Sequence, residues 1–226
     1  MARVLHCSVD PDAYPALERP FRWDLSYLGT WSADRQPQVE RLLMEPARRA
    51  PHLRFCVAGA QYPADIAWPA NVERIEHVAP SGHPEFYAAS RFTLNVTRAD
   101  MRRSGWSPSV RLFEAAACGT PVISDTWPGL DTLFVPAEEI LLAEGPDAVL
   151  AMLDDPGDVR RRRVAAAARR RVLAEHTAAH RAAELETHLR AAHIRRADAI
   201  GRNARFPRPG DAPRIARFPL TSRGRW

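Results

Sequence analysis

From Asp24 onward, short apolar runs alternate with amphipathic stretches. The apolar runs predict strands at Leu25–Gly29, Phe55–Ala58, Val72–His77, Phe92–Thr97, Pro121–Ser124 and Glu139–Leu142. Between them, apolar positions recurring at three and four residues predict helices at Gln36–Arg49, Pro84–Ala89, Ser109–Cys118 and Pro146–Leu153. Such alternation is the pattern of βαβ units, so residues 24–155 are expected to form a Rossmann-like α/β domain, a mainly parallel sheet flanked by helices. Ahead of it, Val4–Val9 reads as one short strand before the turn-prone run DPDAYPALERP, which makes residues 1–23 a linker or interdomain segment. Residues 156–200 read as two C-terminal helices, Gly157 to His176 and Thr177 to about Ile200. Residues 201–226, rich in Arg, Pro and Gly, cannot bury enough apolar surface to order themselves and are expected to be disordered.

The stretch SGWSPSVRLFEAAACGTPVISD, Ser104 to Asp125, concentrates the chemistry. Ser107 suits an N-cap and Pro108 the first helical position, while Gly119 suits a left-handed C-terminal cap and Pro121 stops the helix. The free amides near Ser109 and Val110, at the positive end of the helix dipole, form a seat for phosphate. On the helical period Ser107, Arg111, Glu114 and Cys118 share one face, and Val110, Phe113 and Ala117 share another that can be buried. Glu114 thus lies where a carboxylate can accept two hydroxyl hydrogen bonds, such as a ribose offers. Helix geometry alone equally allows an i, i+3 ion pair between Arg111 and Glu114, worth about 0.2–0.5 kcal/mol.

Ligands of open α/β sheets bind beyond the carboxyl ends of the strands. The residues expected there are small or polar: Gly29 and Thr30 after the first strand, Gly59 after the second, Thr97 and Arg98 after the fourth, Ser124 and Asp125 after the fifth. VAGAQYP does not complete a G-x-G-x-x-G fingerprint, so a dinucleotide gains no support.

The same segments carry a family resemblance. RLFEAAACGTPVISD, with YLGTWSADRQPQVERLL, RFCVAGAQYP, HPEFYAASRFTLNVTRADM and DTWPGLD, resembles the donor-binding halves of GT-B glycosyltransferases, especially the CgeB-like (spore-maturation-protein-like) family, over roughly Val4 to Leu153. The resemblance implies a single GT-B half in which Glu114 binds the donor ribose and the residues before it, Ser109, Val110 and Arg111, approach the phosphates. It also implies that Arg35, after the first strand, reaches the diphosphate, with Gly29 and Thr30 lining the same site. Many retaining members carry a second acid eight residues before this glutamate; that position is Trp106 here, so the likeness does not extend to the sugar contact.

Charge is uneven: residues through 155 hold 14 arginines against 21 acidic residues, and those after hold 18 against 6, with no lysine anywhere. The arginine runs 160–163 and 169–171 are read as an exposed helix face, and nucleic acid is not an expected partner. Three scattered cysteines, Cys7, Cys56 and Cys118, match no zinc or CxxC spacing and read as buried thiols in a reducing cytoplasm; no apolar run is long enough to span a bilayer. His176 and His180 stand four apart, but Thr177 replaces the glutamate of a zinc protease, and no metal is expected. G-x-S-x-G and P-loop motifs are absent, which sets aside serine hydrolases and P-loop nucleotide hydrolases.

What the resemblance implies is transfer of a sugar from a nucleoside diphosphate donor to an acceptor, the nucleotide sugar being substrate and no cofactor being required. A noncatalytic nucleotide-sugar-binding module (a pseudoenzyme) and a nucleotide-sugar epimerase of the same fold are the alternatives. Catalytic residues are expected on an N-terminal acceptor domain, and too few residues precede Asp24 to form one, so a separate domain or polypeptide is the expected partner.

Overall fold

The computed structural model describes residues 3–203, without side-chain detail beyond residue 194. Six strands, β1 (Trp23–Leu28), β2 (Phe55–Ala58), β3 (Val72–Ile75), β4 (Ser90–Asn95), β5 (Val122–Ser124) and β6 (Leu141–Leu142), form one sheet in the order β3-β2-β1-β4-β5-β6. Every pairing is parallel: Leu25 registers with Phe55 and Phe92, and Thr93 with Val122. The order reverses between β1 and β4, which opens a crevice at their carboxyl ends. This is the Rossmann-like α/β sheet that the alternation predicts.

Buried side chains gather on both faces of the sheet. One cluster holds Leu25, Tyr27, Leu42, Leu43, Phe55, Phe92 and Leu94, and the other Phe86, Tyr87, Leu112, Phe113, Trp127 and Val172. Each fully buried large apolar side chain contributes about 1.5–3 kcal/mol, and the strands, covered on both sides, also bury polar residues, Ser26, Thr93, Asn95 and Ser124.

Residues 36–49 are helical as expected, though not uniformly. α1 (Gln36–Val39) passes through a π-helical turn, Glu40–Met44, into α2 (Glu45–Arg49). Pro46 brings no N–H to the carbonyl of Leu42, and the Glu45 amide reaches back to Glu40 instead, an i→i+5 bond. α3 (His83–Ala88) precedes β4. α4 (Ala99–Ser104), a short helix the periodicity missed, follows it. α5 (Val110–Ala117) leads to β5, and α6 (Pro146–Leu153) matches its predicted bounds.

Several expectations are corrected. α5 begins at Val110, with Ser109 as its extended cap residue and no side-chain capping bond, so Ser107 and Pro108 lie outside the helix. Gly105 and Trp106 at positive φ turn the chain just before it, and the Trp106 amide is held by the Pro128 carbonyl. Val110 is exposed rather than buried, whereas the supposedly polar face is covered: Arg111 and Glu114 are each 8% exposed. Val4–Val9 forms no strand; Val9 alone makes a parallel bridge to Thr177. Residues 7–14 are not a free linker, because Val9 is a core residue and Tyr14 packs against the same cluster.

α7 (Val159–Glu175) buries Val164, Ala168 and Val172 at four-residue spacing and packs on α5. Its arginines are not simply a solvated face. Arg162, Arg163 and Arg170 are exposed, but Arg169 donates to the Ala117 carbonyl at the end of α5 and Arg171 to that of Leu133. The first compact unit runs to Glu184, so the boundary expected at 155 falls inside it. α8 (Ala178–Asn203) is the last described element, and the expected disordered tail lies, from residue 204, outside the described residues.

Candidate functional site

The crevice between β1 and β4 is a cleft of about 390 Å³. Gly29 and Thr30 enter it from the end of β1, Arg35 from the turn before α1, and Ser109, Val110, Arg111 and Glu114 from the first turns of α5. All seven residues singled out in the sequence therefore meet in one cavity. Arg98, after β4, lines it too.

Backbone proximity shapes the floor. Gly59 has φ +148° and a side chain there would stand 2.1 Å from the Gly29 carbonyl oxygen, so the loops after β1 and β2 touch as only glycine allows. A Cβ on Gly29 would lie 2.9 Å from Arg111 Nη2. The missing side chain makes room for that guanidinium.

Arg111 does not pair with Glu114. Its Nε donates to the Leu28 carbonyl at 2.6 Å, its Nη1 to Asn95 Oδ1 at 3.0 Å, and its Cζ sits 5.1 Å from the Tyr27 ring centroid. The i, i+3 ion pair is thus replaced by neutral acceptors, and the cationic charge stays uncompensated beneath the cleft. Asn95 passes the network on to Ser124 Oγ at 2.9 Å and Thr97 Oγ1 at 3.2 Å, and Thr97 donates from its amide and hydroxyl to Asp125. Burial raises the Asp125 carboxyl above its ordinary range, and the Thr97 bonds oppose that shift.

Arg35 is 8% exposed. Its Nη2 donates to the Thr30 carbonyl, while its Nε is buried and has no hydrogen-bond partner among the described residues. A buried donor without a partner costs about 1–3 kcal/mol, so the fold holds Arg35 in place at a cost. The turn is fixed by Asp34, whose carboxylate accepts from Ser32 and from the Ala99 amide at the start of α4; both bonds hold its carboxyl below the usual range.

Glu114 is built differently. Tyr14 donates to Oε1 at 2.8 Å and Tyr87 to Oε2 at 3.3 Å, while His83 Nδ1 lies 3.7 Å from Oε2. Desolvation and then the bond to Glu114 lift the Tyr14 phenol well above its ordinary value, and desolvation does the same for Tyr87, so both remain donors. Sequence reading missed Tyr14, His83, Tyr87 and Asn95. His83 and Tyr87 carried a signal, four-residue spacing across the start of the helix expected at Pro84–Ala89, whereas Tyr14 stands 100 residues from its partner and carried none.

Among the described residues no cluster of potential ligands fits a metal ion, and no helix is long and apolar enough to cross a membrane. Known structures share the architecture. The chain resembles sucrose-phosphate synthase from Thermosynechococcus elongatus at 17% identity and TM-score 0.67, over 85% of this chain and 53% of that one. It resembles Anabaena HepE, solved with UDP-glucose, at 12% identity and TM-score 0.65, over 81% and 56%. A third structure, the C-terminal domain of a group 1 glycosyl transferase (LpcC) from Francisella tularensis, matches at 16% identity and TM-score 0.58, over 75% of this chain and 99% of that domain. The chain thus spans about half the length of the first two and has the fold of a GT-B half. No curated protein matches it by sequence. The model of the glycosyl transferase-like family matches residues 35–187, more than half of the sequence, and the chain belongs to that family.

Proposed function

We propose that this chain is the donor-binding half of a glycosyltransferase, of the CgeB-like group, that transfers a sugar from a nucleoside diphosphate sugar to an acceptor. The observation that carries the reading is the convergence of an open buried cation, Arg35, and an aligned carboxylate, Glu114, in one cleft beside the start of α5. Three arginines, Arg35, Arg98 and Arg111, line that cleft against one carboxylate, and the first amides of α5 add positive potential. In this reading Glu114 accepts the ribose hydroxyls, Arg35 and the amides of Val110 and Arg111 take the diphosphate, and Arg111 acts from below as a fixed charge. Gly29 and Thr30 let the backbone come close to the phosphates.

A diphosphate leaving group gains negative charge on its bridging oxygen as the glycosidic bond breaks. Preorganised donors stabilise that charge more than they stabilise the intact donor, which lowers the barrier. The arginines and helix amides meet the charge without calling for a metal. The acceptor and the group that activates it belong, in this reading, to a separate domain or polypeptide facing the cleft. Three free thiols, two of them buried, suit a reducing cytoplasm.

Calorimetric titration with UDP, GDP and ADP tests the binding role. Glu114→Ala is expected to weaken the preferred nucleotide by about 1–3 kcal/mol with an unchanged circular dichroism spectrum, because ribose hydroxyls lose a charged acceptor. Unchanged affinity rejects the assignment. Incubation with a nucleotide sugar separates the alternatives: transfer or hydrolysis marks an enzyme, a changed sugar without acceptor an epimerase, and binding without turnover a noncatalytic module.

A further inference from the structure

The N-terminal segment plays no part in the donor contacts just described, yet it ends on their key carboxylate. The Tyr14 hydroxyl reaches Glu114 Oε1 from a turn closed by the Tyr14 amide on the Asp10 carbonyl at 3.0 Å. The segment is fastened at two further places. Cys7 Sγ donates to the Pro108 carbonyl at 3.4 Å, just ahead of the helix. Val9, 2% exposed, donates to the His176 carbonyl at 3.2 Å and accepts from the Ala178 amide at 2.8 Å.

A carboxylate offers about two lone-pair sites on each oxygen. Tyr14 takes one on Oε1, Tyr87 takes one on Oε2, and the Glu114 side chain, 11% exposed, still borders the cleft. One acceptor site per oxygen is left, which matches two neighbouring hydroxyls on a pentose. Tyr87 is 1% exposed and fixed by the core, whereas Tyr14 is only half-buried, its ring tilted 54° against His83 at 6.3 Å. The Tyr14 hydroxyl lies between Glu114 Oε1 at 2.8 Å and His83 Nδ1 at 3.4 Å.

We propose that Tyr14 is a positioning residue of the donor site: its hydroxyl sets the plane of the Glu114 carboxylate so that both remaining acceptor sites face a cis-diol, making recognition of the ribose depend on the N-terminal segment. This rests on the reading of Glu114 as ribose acceptor. Without the Tyr14 bond the carboxylate rotates toward His83 and Tyr87 and offers the cleft one oxygen in place of two.

The test compares three probes on the full chain by calorimetry: the tightest-binding of UDP, GDP and ADP, its 2′,3′-dideoxy counterpart, and inorganic pyrophosphate. Wild type is expected to prefer the ribonucleotide over the dideoxy form. Tyr14→Phe should weaken the ribonucleotide about tenfold and collapse that preference, leaving pyrophosphate unchanged. A purely structural Tyr14 would lower the melting temperature and weaken all three probes together, and a Tyr14 that blocks the site would let Tyr14→Phe bind the ribonucleotide more tightly; either result overturns the proposal. If wild type prefers the ribonucleotide and Tyr14→Phe keeps that preference, the positioning role alone falls. If wild type shows no preference and Glu114→Gln changes nothing, the ribose role of Glu114 falls, and this inference with it.

Discussion

Arg49, ahead of β2, donates to the Asp147 carboxylate at 2.5 Å, and Arg19 and Arg22 are held in the same way by Glu85 and Glu73. Arg35 and Arg111, at the carboxyl end of the sheet, donate instead to the carbonyls of Thr30 and Leu28 and to the Asn95 amide oxygen. Arg19, Arg22 and Arg49 are thus paired with acids, whereas Arg35 and Arg111 are anchored by neutral dipoles that fix their geometry and leave their charge. Ion pairing in water contributes little, about 0–1 kcal/mol, so the first arrangement mainly dresses the surface. Holding a guanidinium on carbonyls in a buried place is costly, and in the function proposed above a bound diphosphate offsets that cost.

The comparison can be broken most severely at the glycine that lets the cleft loops touch. Gly59→Ala places a methyl carbon 2.1 Å from a backbone oxygen at a φ that L-residues rarely adopt, and about 2–4 kcal/mol of stability should be lost in urea unfolding. A loss below about 0.5 kcal/mol would show that the two loops part easily.

Arg35→Ala should cost about 1.5–3 kcal/mol of nucleotide affinity in calorimetry, since a charge-assisted bond is lost. Arg49→Ala, removing a paired arginine of similar size, should leave affinity unchanged and alter stability by less than about 1 kcal/mol. Equal effects of the two on binding would erase the distinction between the regions. Because cleft cations are uncompensated, raising ionic strength from roughly 0.05 to 0.5 M should weaken nucleotide binding several-fold, as the Debye length shrinks from about 14 to 4 Å. Binding insensitive to salt would mean that diphosphate charge is not what the cleft reads.

The smallest effect is expected from pH. The native Asp34 carboxyl lies below its ordinary value of 3.8 because Ser32 and the Ala99 amide donate to it. A depressed native value stabilises the fold above the unfolded pKa, and that contribution disappears as pH falls through the native one. Wild type should therefore be more stable than Asp34→Asn at pH 5 and lose part of that margin by pH 3. A margin constant across this range would mean that the Asp34 bonds do not tie the Arg35 turn to α4.

The fold and the place of the site were readable for a physical reason: apolar runs between amphipathic stretches admit few arrangements other than a parallel sheet, whose ligands collect at one end. Phe55–Ala58 and Pro146–Leu153 form with the bounds their pattern predicts. The start of α5 was misread because Ser107 and Pro108 fit local capping rules, while the bond from the Trp106 amide to Pro128 and the turn at Gly105 delay the helix to Val110. Tertiary structure overrode a local preference worth about 1 kcal/mol. α4 escaped notice because six residues with no buried side chain leave no apolar stripe.

By itself the sequence determined which residue types reach the cleft, since alternating strands and helices imply a parallel sheet whose carboxyl edge collects Gly29, Thr30, Arg35 and Glu114. Only the tertiary structure decided what those residues are free to do. It steered Arg111 away from Glu114 onto Leu28 and Asn95, left one donor of Arg35 open, and brought Tyr14 across 100 residues to the carboxylate. Periodicity is a local property and survives in one dimension. The partner of a buried charge is set by which distant groups arrive within 3 Å of it, and that is known only once the chain has closed on itself.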